Sequence, residues 1–208
     1  QYSESLMVNF VGNHDIARFT SLASAQLCGA WDMASNQALG WNHPPVAPSE
    51  RTPYARMLQA LTYAFTVPGQ PMLYYGDEFG MPGGGDPDNR RRMRFDQELS
   101  DHERWLRAQV AALATVRGQI DGLRGDDWPA PAVADDHTLA YVRRGVQADA
   151  LVLINRGPER TLPLTLLEPH LHGPLREVFT GRTATMDPQT GHRFNLAAES
   201  AEVWVRVQ

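Results

Sequence analysis

The chain has 208 residues, of which 42% are hydrophobic and 21% are charged, and its formal net charge is -5. This composition is typical of a globular protein and excludes the collagen-like, disordered and disulfide-scaffold classes. The acidic balance argues against a nucleic acid as partner. No apolar run approaches the roughly 18 residues of a membrane helix, so we expect no membrane partner. The single cysteine, Cys28, leaves the cellular compartment open.

The first 120 residues alternate short apolar runs with amphipathic segments. Residues 6–11 form an apolar run typical of a buried parallel strand, and a long stretch rich in Ala, Asn and Pro follows, which we expect to be irregular. Thr52 and Pro53 then predict the start of a helix that ends before Pro68.

A second buried strand is predicted over residues 71–75, directly before Gly76. Ser100 and Glu103 have the spacing of a capping box, so a second long helix is predicted to run to Ile120. The order strand, helix, strand, helix indicates an α/β arrangement of parallel strands covered by helices.

The pattern changes after residue 120, where short alternating runs are separated by turns that contain Gly and Pro. Their spacing of roughly 8–12 residues predicts an antiparallel β-sandwich. We therefore expect an α/β domain over residues 1–120 and an all-β domain over residues 121–208. The predicted strands are 138–143, 150–155, 160–166, 175–180, 192–196 and 202–207.

The polar triplet Asn13, His14 and Asp15 directly follows the first predicted strand. Active sites of parallel α/β folds lie at the carboxyl ends of their strands, which makes this triplet a candidate site. A purely structural role stays open, because Asn and Asp also end strands and cap helices.

The second candidate segment follows the second predicted strand and contains three consecutive glycines, then Asp86 and Arg90. Carboxylate and guanidinium groups in a glycine-rich loop suit a ligand with many hydroxyl groups. A surface loop of paired charges is the alternative. In the same region, Asp77 and Glu78 are adjacent on what we expect to be extended chain, so they would point apart and serve as support.

These segments together resemble the α-amylase family of glycoside hydrolases, in its neopullulanase and cyclomaltodextrinase branch. The motifs that carry the resemblance are Phe10 to Asp15, Pro68 to Glu78 and Gly85 to Arg91, in the family's order. The resemblance implies that residues 1–120 are the last two strand–helix units of a (β/α)8 barrel and that residues 121–208 are the C-terminal β-sandwich.

The resemblance also implies a role for each candidate residue. Asp15 would be the third catalytic acid, which binds sugar hydroxyls beside the reacting carbon, and His14 would hydrogen-bond the same sugar. Asp86 and Arg90 would contact a sugar further toward the non-reducing end. The implied substrate is an α-linked malto-oligosaccharide, cleaved or transferred with retention of configuration, and no cofactor is implied.

A retaining glycosidase needs a nucleophile and a proton donor, and both lie on earlier barrel strands in this family. Neither strand occurs in these 208 residues. We therefore interpret the chain as a C-terminal fragment that is inactive alone. Because two barrel strands would leave open edges, we also expect self-association or a separate N-terminal barrel segment as partner.

Other interpretations are weaker on inspection. Residues 121–126 match the letters of the family's nucleophile motif but follow a helix, so we expect a helix exit. The spacing of Asp86, Asp88 and Arg90 does not fit a calcium loop, and that of His170 and His172 does not fit a zinc site, so no metal is expected.

Two alternative functions use other parts of the chain. A basic cluster could bind nucleic acid, but neighbouring acids make an ion-paired loop the better reading; it consists of Arg90, Arg91, Arg92 and Arg94. The β-sandwich alone could bind carbohydrate through Trp128, Tyr141 or Trp204, although Trp204 lies in an alternating strand and is expected in the core.

Overall fold

The computed structural model describes residues 7–29 and 31–207. These ranges contain four α-helices, which are α1 (Phe19–Ala23), α2 (Met33–Asn42), α3 (Thr52–Thr66) and α4 (Asp101–Gln119). Their ten strands are β1 (Val8–Asn9), β2 (Gln70–Pro71), β3 (Pro131–Ala134), β4 (Thr138–Arg143), β5 (Ala150–Asn155), β6 (Arg160–Leu164), β7 (Gly173–Glu177), β8 (Thr183–Met186), β9 (His192–Leu196) and β10 (Ser200–Arg206). No helix in the described ranges combines the length and the apolar character needed to cross a membrane.

The described residues fall into two compact units, each built from separate stretches of chain. The first unit holds residues 7–8, 62–70 and 111–207, and the second holds residues 9–29, 31–61 and 71–110. The predicted domain boundary between residues 120 and 121 stays a prediction.

β1 and β2 pair with each other in a two-stranded sheet. The Gln70 amide donates to the Met7 carbonyl (2.7 Å) and the Met72 amide to the Asn9 carbonyl (2.8 Å). Both partners advance by two residues in the same direction, so the strands are parallel.

The prediction that these strands are buried is wrong for the described residues. Val8 of β1 and Gln70 of β2 are exposed, and Asn9 and Pro71 are only partly buried. Residues 72–75 of the second predicted strand are not in a strand, and residue 6 of the first lies outside the described ranges. Six large apolar side chains on the two runs are exposed; they are Met7, Val8, Phe10, Met72, Leu73 and Tyr75.

The two long helices of the first half are confirmed, and the irregular stretch before them is not. α4 begins with the predicted capping box, in which the Ser100 amide donates to Glu103 Oε2 (2.8 Å) and the Glu103 amide to Ser100 Oγ (3.3 Å). The stretch predicted to be irregular contains α1 and α2. In residues 33–42 the apolar side chains do not fall on one face of a helix. The 3.6-residue periodicity that predicts an amphipathic surface helix is therefore missing.

The tail forms an antiparallel sheet of six strands in the order β3-β4-β5-β10-β7-β8, and a pair of strands, β6 and β9. β4, β5 and β9 have the predicted bounds. β3 and β8, by contrast, were not predicted, because Pro131 to Ala134 and Thr183 to Met186 are edge segments of only four residues, which is at the short limit for a recognisable strand pattern.

The six-stranded sheet and the β6–β9 pair share one apolar cluster. Leu151 and Trp204 of the larger sheet and Phe194 of the pair belong to it, and the Phe194 and Trp204 rings pack edge to face at 5.2 Å. This position confirms the expectation that Trp204 is a core residue.

Candidate functional site

The polar triplet after β1 forms a tight turn. Asn13 Oδ1 accepts a hydrogen bond from the Asp15 amide (2.8 Å), the geometry of an Asx turn. This turn leaves the side chains of His14 and Asp15 62% and 61% exposed, with His14 Nε2 3.2 Å from Asp15 Oδ1. Both side chains are thus available to a ligand.

The glycine-rich loop brings the second pair of candidate residues to the same place. Arg90 Nε lies 3.0 Å from Asp86 Oδ1, and it also donates to the backbone carbonyl of His14 (3.2 Å). The structure therefore brings together three of the four predicted residues through Arg90: Asp86 through its carboxylate and His14 through its backbone.

Asp15 and Asp86 both line a cavity of about 300 Å³. Ala17, which follows the polar triplet, and Gly85 of the glycine-rich loop line the same side of the cavity. The remaining lining residues belong to α2 and are Met33, Ala34, Asn36 and Gln37. The size is at the lower end of the range of about 300–1,000 Å³ for small-molecule sites.

Asn89 fixes the spacing of the two loops, and sequence reasoning missed it. Its side chain is fully buried and donates from Nδ2 to the backbone carbonyls of His14 (2.9 Å) and Ile16 (2.8 Å). These two carbonyls flank Asp15. Asn89 lies within the family-like motif Gly85 to Arg91. Its position in that motif, between Asp86 and Arg91, is the sequence signal that could have identified it.

Arg18 was also missed, although it is the largest buried charged group near the site. It is 1% exposed and donates to three loop groups, the Asn89 carbonyl (2.8 Å), the Tyr75 carbonyl (2.7 Å) and Asp77 Oδ1 (3.0 Å). Arg18 also stacks over the ring of Tyr74 at 4.1 Å. Sequence reasoning expects arginines at the surface, so a buried one gives no signal.

Asp77 and Glu78 lie in a 3-10 turn, Asp77–Phe79, so the extended backbone predicted for them is wrong. Gly76 before them adopts a left-handed conformation that starts the turn. Asp77 is buried against Arg18, and burial raises the pKa of its carboxyl to about 6 even though Arg18 opposes the shift. Asp77 therefore supports the loops from within, and the same role for Glu78 stays a prediction.

The four clustered arginines are ion-paired, as the reading of an ion-paired loop predicts. Each guanidinium contacts a nearby carboxylate; the pairs are Arg90 with Asp86, Arg91 with Asp88, Arg92 with Glu98, and Arg94 with Glu103. Their charges are balanced locally, so the loop offers no unbalanced basic patch in this part of the chain.

The motif at residues 121–126 has a structural role. Residues 121–124 form a 3-10 turn after α4 and not a strand. Asp121 accepts hydrogen bonds from the backbone amides of Gln147 (2.9 Å) and Ala148 (2.8 Å), and such bonds hold its carboxyl pKa below the ordinary value. The prediction of a helix exit is therefore confirmed.

Elsewhere in the described ranges, no three His, Cys, Asp or Glu side chains are grouped closely enough to hold a metal ion. The aromatic candidates of the β-rich tail also differ from the expectation. Tyr141 is buried with its hydroxyl against that of Thr66, so it cannot stack on a sugar. Trp204 is in the core, and Trp128 is 57% exposed.

A scan of the sequence against protein-family profiles finds no match. The chain is 37% identical over 99 residues to a cyclomaltodextrinase of Geobacillus thermopakistaniensis, and this alignment covers 47% of this chain and 16% of the relative. It is 35% identical over 118 residues to neopullulanase 2 of Thermoactinomyces vulgaris, with 55% and 20% covered. The solved α-amylase of Geobacillus thermoleovorans, crystallised with acarbose, superposes with a TM-score of 0.72 at 27% identity, covering 98% of this chain and 39% of that one.

The resemblance to the α-amylase family is confirmed. It extends over nearly the whole chain, since a cyclomaltodextrin glucanotransferase of Niallia circulans aligns over 203 residues at 26% identity. The chain spans only 16% to 24% of the length of these α-amylase-family relatives. The activity of a whole enzyme is for that reason a proposal and not a finding.

Proposed function

We propose that these residues form the C-terminal part of a retaining, α-amylase-type glycoside hydrolase or transglycosylase that acts on α-linked malto-oligosaccharides. The observation that carries the proposal is the cavity lined by both Asp15 and Asp86 in a chain that resembles this family over 95% of its length. In this proposal, residues 1–120 are the last two strand–helix units of a (β/α)8 barrel, and residues 121–208 are its β-sandwich.

Asp15 and His14 would bind the sugar at the reaction centre. Glycosyl transfer passes through a flattened, positively charged ring, and hydroxyl contacts that tighten as the ring distorts stabilise mainly this transition state. A half-exposed carboxylate can accept two hydroxyl hydrogens, and the adjacent imidazole offers one further polar contact. Asn89 would hold the backbone on both sides of Asp15 and so fix the direction of its side chain.

Asp86 and Arg90 would bind the next sugar toward the non-reducing end. The ion pair between them orients the Arg90 guanidinium group. The hydrogen bond from Arg90 to the His14 carbonyl links this sugar-binding pair to the pair formed by His14 and Asp15. The nucleophile and the proton donor, which must stand roughly 5–5.5 Å apart, would come from earlier barrel strands outside these residues.

The test compares two proteins on maltotriose. The 208-residue chain alone should release no sugar, because it lacks the reacting carboxyl pair. A longer chain that includes the preceding barrel strands should hydrolyse or transfer maltotriose with retained configuration, as followed by NMR of the anomeric proton. Hydrolysis by the 208-residue chain that the Asp15→Ala change abolishes would contradict the proposal.

The rival function, a carbohydrate-binding β-sandwich without catalysis, has less support. Of its three aromatic candidates only Trp128 is exposed. If the sandwich were the binding part, Trp128→Ala in the 208-residue chain would remove maltoheptaose binding measured by calorimetry, and Asp15→Ala would not.

A further inference from the structure

Helix α2 forms one side of the cavity that holds Asp15 and Asp86. Four of the eight residues that line the cavity belong to this helix: Met33, Ala34, Asn36 and Gln37. Because α2 lies in the stretch predicted to be irregular, no role in binding was expected of it.

The helix is fixed against the loop that carries Asp86. The Gly85 amide donates to the Asn36 carbonyl (2.9 Å), and Gln37 Nε2 donates to the Asp86 carbonyl (2.7 Å). A Cβ atom on Gly84 would lie 2.8 Å from the Cα atom of Gly40, and one on Gly85 would lie 2.7 Å from the Gln37 nitrogen. Only glycines allow this approach of backbone to backbone, so α2 and the loop form one packed wall.

The side chains of α2 complement those of the loops. A pyranose ring carries hydroxyl groups around its edge and C–H groups on its faces. Asp15 and Asp86 offer carboxylates to the edge, whereas Met33, which is 53% exposed, and Ala34 offer an apolar surface. The Gln37 amide can donate to and accept from hydroxyl groups. The cavity thus has both kinds of contact that a sugar ring requires.

We propose that Met33 and Gln37 are substrate-contacting residues: Met33 packs on a face of the sugar bound in this cavity, and Gln37 hydrogen-bonds one of its hydroxyl groups. The proposal rests on the proposed function, because it assumes that the ligand of Asp15 and Asp86 is an α-linked glucose chain. It adds a third segment of chain, α2, to the two that the motifs indicate.

The test measures binding of maltotriose to the 208-residue chain by saturation-transfer NMR, with titration for an apparent Kd. Met33→Ala removes the apolar contact from an exposed side chain and should weaken binding about threefold or more. Gln37→Glu keeps the size but removes the amide donor, both toward a sugar hydroxyl and toward the Asp86 carbonyl, and should weaken binding about tenfold. Asn42→Ala is the matched control, since Asn42 is on the same helix, bonds only the Ala38 carbonyl among the contacts described, and does not line the cavity.

Each outcome decides one of the two proposals. If Asp15→Asn weakens binding while Met33→Ala and Gln37→Glu behave like Asn42→Ala, the role of α2 is overturned and the proposed function stands. If the unchanged chain shows no transfer from maltotriose, the role of α2 is likewise overturned, and hydrolysis by the longer chain decides the proposed function separately.

Discussion

Asn89 and Arg18 hold the candidate site through backbone carbonyls. Asn89 bonds the carbonyls of His14 and Ile16, and Arg18 in turn bonds the Asn89 carbonyl. The two buried residues thus join the turn after β1 to the glycine-rich loop. Because these two side chains are buried, they do not contact a ligand themselves. They affect binding by fixing the position of the residues that do.

Changing Asp15 tests the contact that matters most for the proposed chemistry. In a longer chain that hydrolyses maltotriose, Asp15→Asn should lower kcat/KM by about 100-fold or more, because hydroxyl contacts that tighten in the transition state supply several kcal/mol. The loss should fall mainly on kcat. An effect on KM alone would show that Asp15 binds the ground state and transition state equally.

Asp77 should make the stability of the protein depend on pH. Burial raises its pKa from 3.8 to about 6, so the folded chain holds the proton more tightly than the unfolded chain does. The contribution of this group is therefore most favourable below about pH 4 and is lost as the pH rises through 6. Relative to Asp77→Asn, the unchanged protein should lose up to about 3 kcal/mol of unfolding free energy across this window.

Urea unfolding at a series of pH values measures this difference. Asp136→Asn, a change at an exposed aspartate, serves as the control; because it keeps Asp77, this variant should lose stability between pH 4 and 6 as the unchanged protein does. A stability difference between Asp77→Asn and the unchanged protein that stays constant with pH would contradict the role given to burial.

At the scale of elements, two arginines terminate helix α3. Arg143 of β4 is buried and donates to the Thr66 carbonyl (2.8 Å), and Arg117 donates to the Phe65 carbonyl (2.6 Å). The last carbonyls of a helix have no partner within it and carry the negative end of its dipole. The two guanidinium groups satisfy these carbonyls, and they join the end of α3 to β4 through Arg143 and to α4 through Arg117.

Removing Arg143 should therefore loosen this junction. Arg143→Ala leaves the buried Thr66 carbonyl and the part-buried Gly125 carbonyl without their donor and should cost roughly 2–4 kcal/mol of unfolding free energy. Arg144→Ala is the matched control: its side chain is 75% exposed in a surface ion pair with Glu168, and its loss should cost under about 1 kcal/mol. Equal losses in thermal unfolding of the two variants would contradict the assignment.

At the scale of the whole molecule, the two paired strands leave apolar side chains in contact with solvent. Val8, Phe10, Met72 and Leu73 are all exposed on β1, β2 and the residues that follow them. Exposed apolar side chains on strands with open edges are typical of interfaces. The chain is therefore expected to associate, with itself or with a separate segment that supplies the neighbouring strands.

Sedimentation velocity over a range of concentrations tests this expectation. The 208-residue chain should show species heavier than 23 kDa, and Val8→Glu combined with Leu73→Glu should shift it toward the monomer. Val146→Glu, at a residue that is 91% exposed in the β-rich tail, should leave the distribution unchanged. A single monomer at every concentration would refute the expectation.

The sequence by itself determined α3, α4 and the central strands of the tail, because each has a local signal such as the Ser100 capping box or the short apolar run of β5. It also nominates His14, Asp15, Asp86 and Arg90, since these lie in short motifs that follow two apolar runs, and their roles stay predictions. Only the tertiary structure revealed α2, Arg18 and Asn89. Their roles depend on contacts across 49 to 75 positions of sequence, and neither a local pattern nor the usual exposure of charged side chains indicates such contacts.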